Sequence, residues 1–201
     1  MELNALTDDY IPRRLYDPEL GCFGCALEEK LVGTVVLENM ITPGSEDDEF
    51  QEEFKGLTSA YTSYSTNAMH ALVHQCRKIF HHEFLRRQRG EKKASDALRY
   101  GEDSRVAFFA WLATDGTIRG HGIAGNLVDE AVTHVGRNAY THGVAFAASP
   151  QSKRVFLRAG FEDWGGVEYS TFEYGNQRPF ASLPDECSVL VKWFPADQIP
   201  M

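Results

Sequence analysis

The chain has 201 residues, 43% of them apolar and 24% charged, with a formal charge of −9. That balance describes a soluble globular domain with a proper core, and the acidity argues against a nucleic-acid partner while suiting a cationic substrate such as an amine. No apolar run approaches the ~18 residues of a membrane span, and the N-terminus Met1-Glu2-Leu3-Asn4 shows neither a basic nor an apolar leader region. A cytoplasmic protein is therefore expected, and Cys22, Cys25, Cys76 and Cys187 are expected as reduced thiols.

Residues 1–20 are polar, carry Pro12 and Pro18, and allow at most one short element. Cys22–Leu27 and Lys30–Leu37 are β-prone runs joined by Glu28-Glu29, which predicts an antiparallel hairpin broken at Thr42-Pro43-Gly44-Ser45. An acidic, helix-compatible segment follows from Glu46 to about Tyr64. A strong helix comes next, with Asn67 as its expected N-cap. Met69, Leu72, Val73, Cys76, Ile79, Phe80 and Phe84 make its apolar face, interrupted by Glu83, and it ends on Arg86, Arg87, Arg89 and Gly90. Residues 90–104 read as a solvated loop.

Val106–Ala113 is an eight-residue apolar run closed by Asp115-Gly116, the pattern of a buried strand. Ile123, Leu127, Val128, Ala131, Val132 and Val135 then recur at helical spacing. Gly143–Ala148 is a second buried strand. Ser149 and Pro150 open another helix as N-cap and first position, and Gly160 closes it. Phe161–Tyr174 holds a strand, Gly175–Pro179 turns, and Cys187–Phe194 is the last strand. Strand–helix–strand from Val106 makes a βαβ unit, so its two strands should be parallel.

Glycines thus sit at a strand-to-helix junction, where free backbone amides at a helix N-terminus favour a phosphate. The phosphate loop Gly-x4-Gly-Lys-Ser/Thr is absent. Gly120, Gly122 and Gly125 satisfy the dinucleotide spacing. That motif, however, needs a carboxylate ending the next strand, about 20 residues on. Here that strand ends Ala147-Ala148-Ser149-Pro150.

Arg119-Gly120-His121-Gly122-Ile123-Ala124 resembles instead the acyl-CoA turn, [Arg/Gln]-x-x-Gly-x-[Gly/Ala], of the GNAT N-acetyltransferase superfamily. Ser149–Phe161, with its aromatic-x-x-x-Gly-Phe ending at Phe156-Leu157-Arg158-Ala159-Gly160-Phe161, resembles the family's second signature in the expected order and distance. The long segment before Val106 and the Tyr169, Tyr174, Phe180 tail look most like the arylalkylamine N-acetyltransferase branch of animals. The resemblance implies an α/β fold: one mixed sheet splayed open between two central parallel strands. It implies one domain over 1–201, with a helical insertion at about 45–104. It implies acetyl-CoA as co-substrate and no metal. The pyrophosphate would rest on the amides of Arg119, Gly120, His121, Gly122, Ile123, Ala124 and Gly125, and pantetheine along Leu112, Ala113 and Thr114. The acceptor would be a small-molecule amine; the alternatives are a protein or peptide amine, or a non-catalytic acyl-CoA-binding module.

The chain departs from the family where the chemistry needs an acid. The usual Asn before the second helix is Ser149, and the usual Tyr that protonates the leaving thiolate is Phe156. Ser149 and Ser152 are the substitutes, their other reading being helix capping; Tyr169 and Tyr174 stand in reserve. Glu38, ending the second hairpin strand, is the candidate base, its other reading a solvated strand end. His121 reads as a phosphate-turn residue, Arg119 as a phosphate partner, and His142 as bland. His70 and His74 have ligand spacing but no third partner, and Cys22-x-x-Cys25 has no second pair, so no metal is expected. Only about 20 residues precede the hairpin, where the family has a strand and two helices. Either the 46–90 helices or a partner chain in a homodimer would then cover that face.

Overall fold

A computed structural model of the chain describes residues 20–40, 64–90 and 105–194. The expectations for the N-terminal segment, the acidic stretch 46–63 and the 91–104 loop lie outside the described residues.

Among the described residues six strands form one sheet in the order β1-β2-β3-β4-β6-β5. They are β1 (Cys22–Leu27), β2 (Lys30–Met40), β3 (Val106–Thr114), β4 (His142–Ala147), β5 (Glu162–Glu168) and β6 (Glu186–Trp193). β3 and β4 run parallel and every other pair is antiparallel. The helices are α1 (Tyr64–Gly90), α2 (Ile123–Arg137) and α3 (Pro150–Arg158). α2 and α3 cover one face, where Leu127, Val128, Ala131 and Phe156 pack on Val35, Leu37, Ala107, Phe109 and Ala145. α1 covers the other, where Leu72, Cys76, Phe80 and Phe84 meet Val106, Phe108, Val144, Val189 and Val191. Because both faces are covered, Val106 to Phe109 are all buried, and the strand reads as a continuous apolar run rather than an alternation. No helix among the described residues is long and apolar enough to cross a membrane.

Three local expectations are corrected. Asn67 does not cap α1; the helix begins at Tyr64, whose hydroxyl donates to the Tyr174 carbonyl at 2.6 Å and whose ring packs on Tyr174. A tertiary contact thus extends the helix one turn past its local start signal. The inward stripe is a strict fourfold repeat, Ala68, Leu72, Cys76, Phe80 and Phe84, which leaves Met69 46% exposed. Glu38 is not a solvated strand end. β2 runs on to Met40, and Glu38 is only 5% exposed, paired opposite Phe108.

The β1–β2 hairpin closes with Leu27 opposite Lys30, so Glu28 and Glu29 are its two turn residues, at φ 47° and 67°. Such a turn favours Asn-Gly because both residues need left-handed backbone. Replacing Glu28-Glu29 by Asn-Gly is expected to raise stability by about 1–2 kcal/mol, seen as a higher denaturant midpoint at unchanged slope.

On α1, Glu83 bonds Arg86 and Arg87 at 2.5–2.9 Å. Arg86 first, then Arg87, lower its carboxyl from 4.5 to about 2. The folded carboxyl is the more acidic, so the stabilisation is complete above pH 4.5 and fades as pH falls towards 2. On this exposed helix face it amounts to less than about 1 kcal/mol. Glu83→Gln should therefore lower the stability measured at pH 7 and leave that at pH 2 unchanged.

Candidate acyl-CoA cleft

The parallel pair is short. β3 and β4 are in register only from Val106↔His142 to Phe109↔Ala145. Beyond that β3 stays with β2, ending at Gly33↔Thr114, while β4 stays with β6, ending at Ala147↔Ser188. The cause lies at Ala110. Val36 pairs with Trp111 and Leu37 with Phe109, so Ala110 is an extra residue in β3. A bulge bends its strand, and this one lies immediately after the last β3–β4 pair. The strands fork there, and no strand among the described residues pairs with the β4-facing edge of Leu112, Ala113 and Thr114.

At the mouth of the fork the chain makes a 3-10 turn, Gly116–Ile118, capped by Asp115, and enters α2 through Arg119-Gly120-His121-Gly122. Gly120 and Gly122 sit at φ 85° and 76°, where a side chain is strained. Gly122 is the N-cap of α2 and offers no side-chain cap. Gly120–Gly125 donate no backbone hydrogen bond to a carbonyl of another described element. The amides at this helix start are thus open to an anion, with the helix dipole behind them. The His121 Nδ1–H donates to the Ile118 carbonyl at 3.0 Å, so His121 braces the turn with this nitrogen. Arg119 folds back towards Gly116.

Gly125 separates the two nucleotide readings. In a dinucleotide turn the third glycine allows close helix–strand packing. Here a Cβ on Gly125 would meet nothing within 4 Å. The close approach is made elsewhere: a Cβ on Gly33 of β2 would lie 2.8 Å from Ile123 and 3.0 Å from Leu127. Gly33 lets α2 settle on the sheet, and its contact across 90 residues left no trace in the sequence. The space around Gly125 is open.

At the other prong of the fork, Ser149 caps α3 in a reciprocal box. Ser152 N–H donates to Ser149 Oγ and Ser149 N–H to Ser152 Oγ, both at 3.2 Å. The Ser152 hydroxyl donates to the Ser149 carbonyl at 2.9 Å, and the two hydroxyl oxygens are 3.0 Å apart. Phe156 is 3% exposed, edge-on to both Phe109 and Phe161. Tyr169 is buried, its hydroxyl donating to the Ala148 carbonyl at 2.9 Å, one residue before Ser149. Tyr174 packs on Tyr64.

The candidate residues do not all converge. Arg119–Gly125 and Leu112–Thr114 line one prong of the fork, and Ser149 and Ser152 start the helix after the other. Glu38 lies at the fork's floor, on the α1 face with Phe108, whose ring is 4.9 Å from that of Phe146 across the split. A cavity of about 530 Å³ lies on the opposite face, lined by Ser149, Lys153, Glu168, Asp185, Glu186 and Ser188, and Glu38 does not reach it. His142 is buried edge-on to Phe84. Burial lowers the pKa of His70. Cys22 lies 3.1 Å from Thr34 Oγ1, whereas Cys25 packs towards α2. All four cysteines are free, and the described residues contain no metal-binding group of three His, Cys, Asp or Glu.

A six-stranded mixed sheet forked at its parallel pair, with open amides at the following helix, is the fold of the GNAT N-acetyltransferases. Solved structures share it. A Drosophila melanogaster polyamine N-acetyltransferase, which forms N-acetylagmatine, aligns at TM-score 0.61 and 17% identity over 86% of this chain and 74% of its own. Arylalkylamine N-acetyltransferase 2 of Aedes aegypti gives 0.58 and 15%, over 86% and 73%. An agmatine N-acetyltransferase gives 0.57 and 17%, over 85% and 73%. No protein-family model matches the chain, and no curated protein matches its sequence.

Proposed function

We propose that this protein is a single-domain, cytoplasmic N-acetyltransferase that moves the acetyl group of acetyl-CoA directly to a small primary amine. The observation that carries the reading is the fork at Phe109↔Ala145 with the uncapped amides of Gly120–Gly125 at its mouth. Those amides would hold the pyrophosphate, with Arg119 as a charge-assisted partner. The open edge at Leu112–Thr114 would bond the pantetheine arm as an added strand does. Names of the structural neighbours favour a small amine over a protein amine.

Glu38 is the proposed base. An incoming ammonium must lose a proton before its nitrogen attacks, and Glu38 stands at the fork's floor beside Phe108. Ser149 is the better proposed acid of the two serines. The single hydroxyl proton of Ser152 is directed to the Ser149 carbonyl, whereas Ser149 Oγ accepts the Ser152 amide and directs its own proton to Ser152 Oγ, 3.0 Å away, from which it would turn to the thiolate. A non-catalytic acyl-CoA-binding module is the second reading, favoured by Phe156, which fills the usual acid's position with a buried ring that has no proton.

CoA and acetyl-CoA should raise the melting temperature; if neither does, both readings fail. Thiol release over a panel of polyamines and arylalkylamines then decides between them, a uniformly flat panel leaving the binding module.

A further inference from the structure

We infer that Asp115 is a positioning residue for the acyl-CoA turn, clamping it to the tip of the β1–β2 hairpin, and that Lys30 neutralises it there. The inference rests on the acetyl-CoA reading above and adds how the turn is held. Asp115 is tied to two elements at once. Its backbone N–H donates to the Val32 carbonyl of β2 at 2.8 Å. Its Oδ1 accepts from the Thr117 amide at 2.9 Å and from the Thr117 hydroxyl at 2.7 Å. Its Oδ2 accepts from Lys30 Nζ at 2.7 Å. Lys30 first, then Thr117, hold the carboxyl well below the usual carboxylate range, so it stays ionised.

Downstream the turn is held mainly by itself. Ile118 N–H returns to the Asp115 carbonyl and His121 to Ile118. A Cβ at Gly120 or Gly122 would meet nothing within 4 Å. The place of the turn is therefore set where it begins, and Arg119 lies back against Gly116, the residue after Asp115. The electrostatics ask for Lys30. A carboxylate at the root of an anion site repels a pyrophosphate, and the Lys30 ammonium offsets that charge. The Lys30 side chain is 70% exposed and that of Asp115 20%. A pair this exposed adds little to global stability, so its removal should act on the turn.

Calorimetry with CoA and melting temperatures for the wild type, Asp115→Ala, Asp115→Asn, Lys30→Ala and the Lys30→Ala/Asp115→Asn double variant test this. Losing a cap of this kind should weaken CoA roughly tenfold in Asp115→Ala, with a melting temperature close to wild type. Asp115→Asn keeps the Oδ1 acceptor and should recover most of the affinity. Lys30→Ala should also bind worse, and Asp115→Asn should restore it by removing the unbalanced charge. Unchanged affinity in Asp115→Ala, or no rescue by Asp115→Asn, overturns the inference. Amide NMR of the same variants gives a readout independent of CoA: the Gly120 and Gly122 resonances should move in Asp115→Ala, and if they stay the clamp is refuted. A wild type that binds no CoA while those resonances do move would reject the acetyltransferase reading alone.

Discussion

Replacing Gly122 by valine is expected to abolish CoA binding and leave the fold intact. Gly122 sits at φ 76°, ψ 3°, at the point where the turn becomes α2. An L-residue in that region costs about 1–2 kcal/mol, and a β-branched one resists it most. Valine would pull the backbone out of the left-handed well and rotate the amides of Gly122 and Ile123 away from a common focus. The added side chain would meet no protein atom within 4 Å, so internal clash is not the mechanism. It would fill the space that the proposed phosphate would need. The melting temperature should fall by only a few degrees, while affinity for CoA drops beyond calorimetric detection. Gly125→Ala is the complement. Inside α2, alanine in place of glycine should add about 0.5–1 kcal/mol of stability, and its methyl would project into the open space beside the amides. A variant that is more stable yet binds CoA less well is hard to explain by damage to the fold. Wild-type affinity in Gly122→Val would sink the phosphate-turn assignment.

What was legible in the sequence was what short-range chemistry writes. The hairpin, the βαβ unit and the α3 cap all rest on neighbours a few residues apart, and Ser149-Pro150 or a strand closed by Asp-Gly signals itself locally. The fork did not. Val106–Ala113 is apolar throughout, so its periodicity could not reveal that Ala110 is one residue too many for β2. Nor could local signals place the start of α1, which depends on Tyr64 meeting Tyr174 across 110 residues. Glu38 was legible as a strand residue but not as a buried one, because its burial follows from Phe108 opposite and α1 on that face. Glu28 and Glu29 in left-handed backbone run against their own preferences; the strand pairing on both sides imposes the turn. Phe156 was legible as a departure from the family pattern. Its packing against Phe109 and Phe161 was not, since Phe109 is distant in the chain.

The sharpest test of chemistry as opposed to binding is Ser149→Ala beside Ser152→Ala. Both break the capping box, and each should cost about 0.5–2 kcal/mol of stability. If capping were the serines' whole role, the two variants would behave alike in catalysis. The hydrogen bonds make them differ. Ser152 directs its hydroxyl to the Ser149 carbonyl, so Ser152→Ala removes a brace. Ser149 Oγ receives the Ser152 amide, which favours a developing alkoxide and so eases proton donation from Ser149. Removing that proton should lower kcat by about 10²-fold, the lower end for a positioned acid, with KM for acetyl-CoA unchanged because the proposed phosphate turn is untouched. Ser152→Ala should stay within a few-fold of wild type. Ser149→Thr, which keeps both the cap and the hydroxyl, should restore most of kcat. Equal kcat in Ser149→Ala and Ser152→Ala would return both serines to capping alone and leave the departing thiolate to take its proton from water.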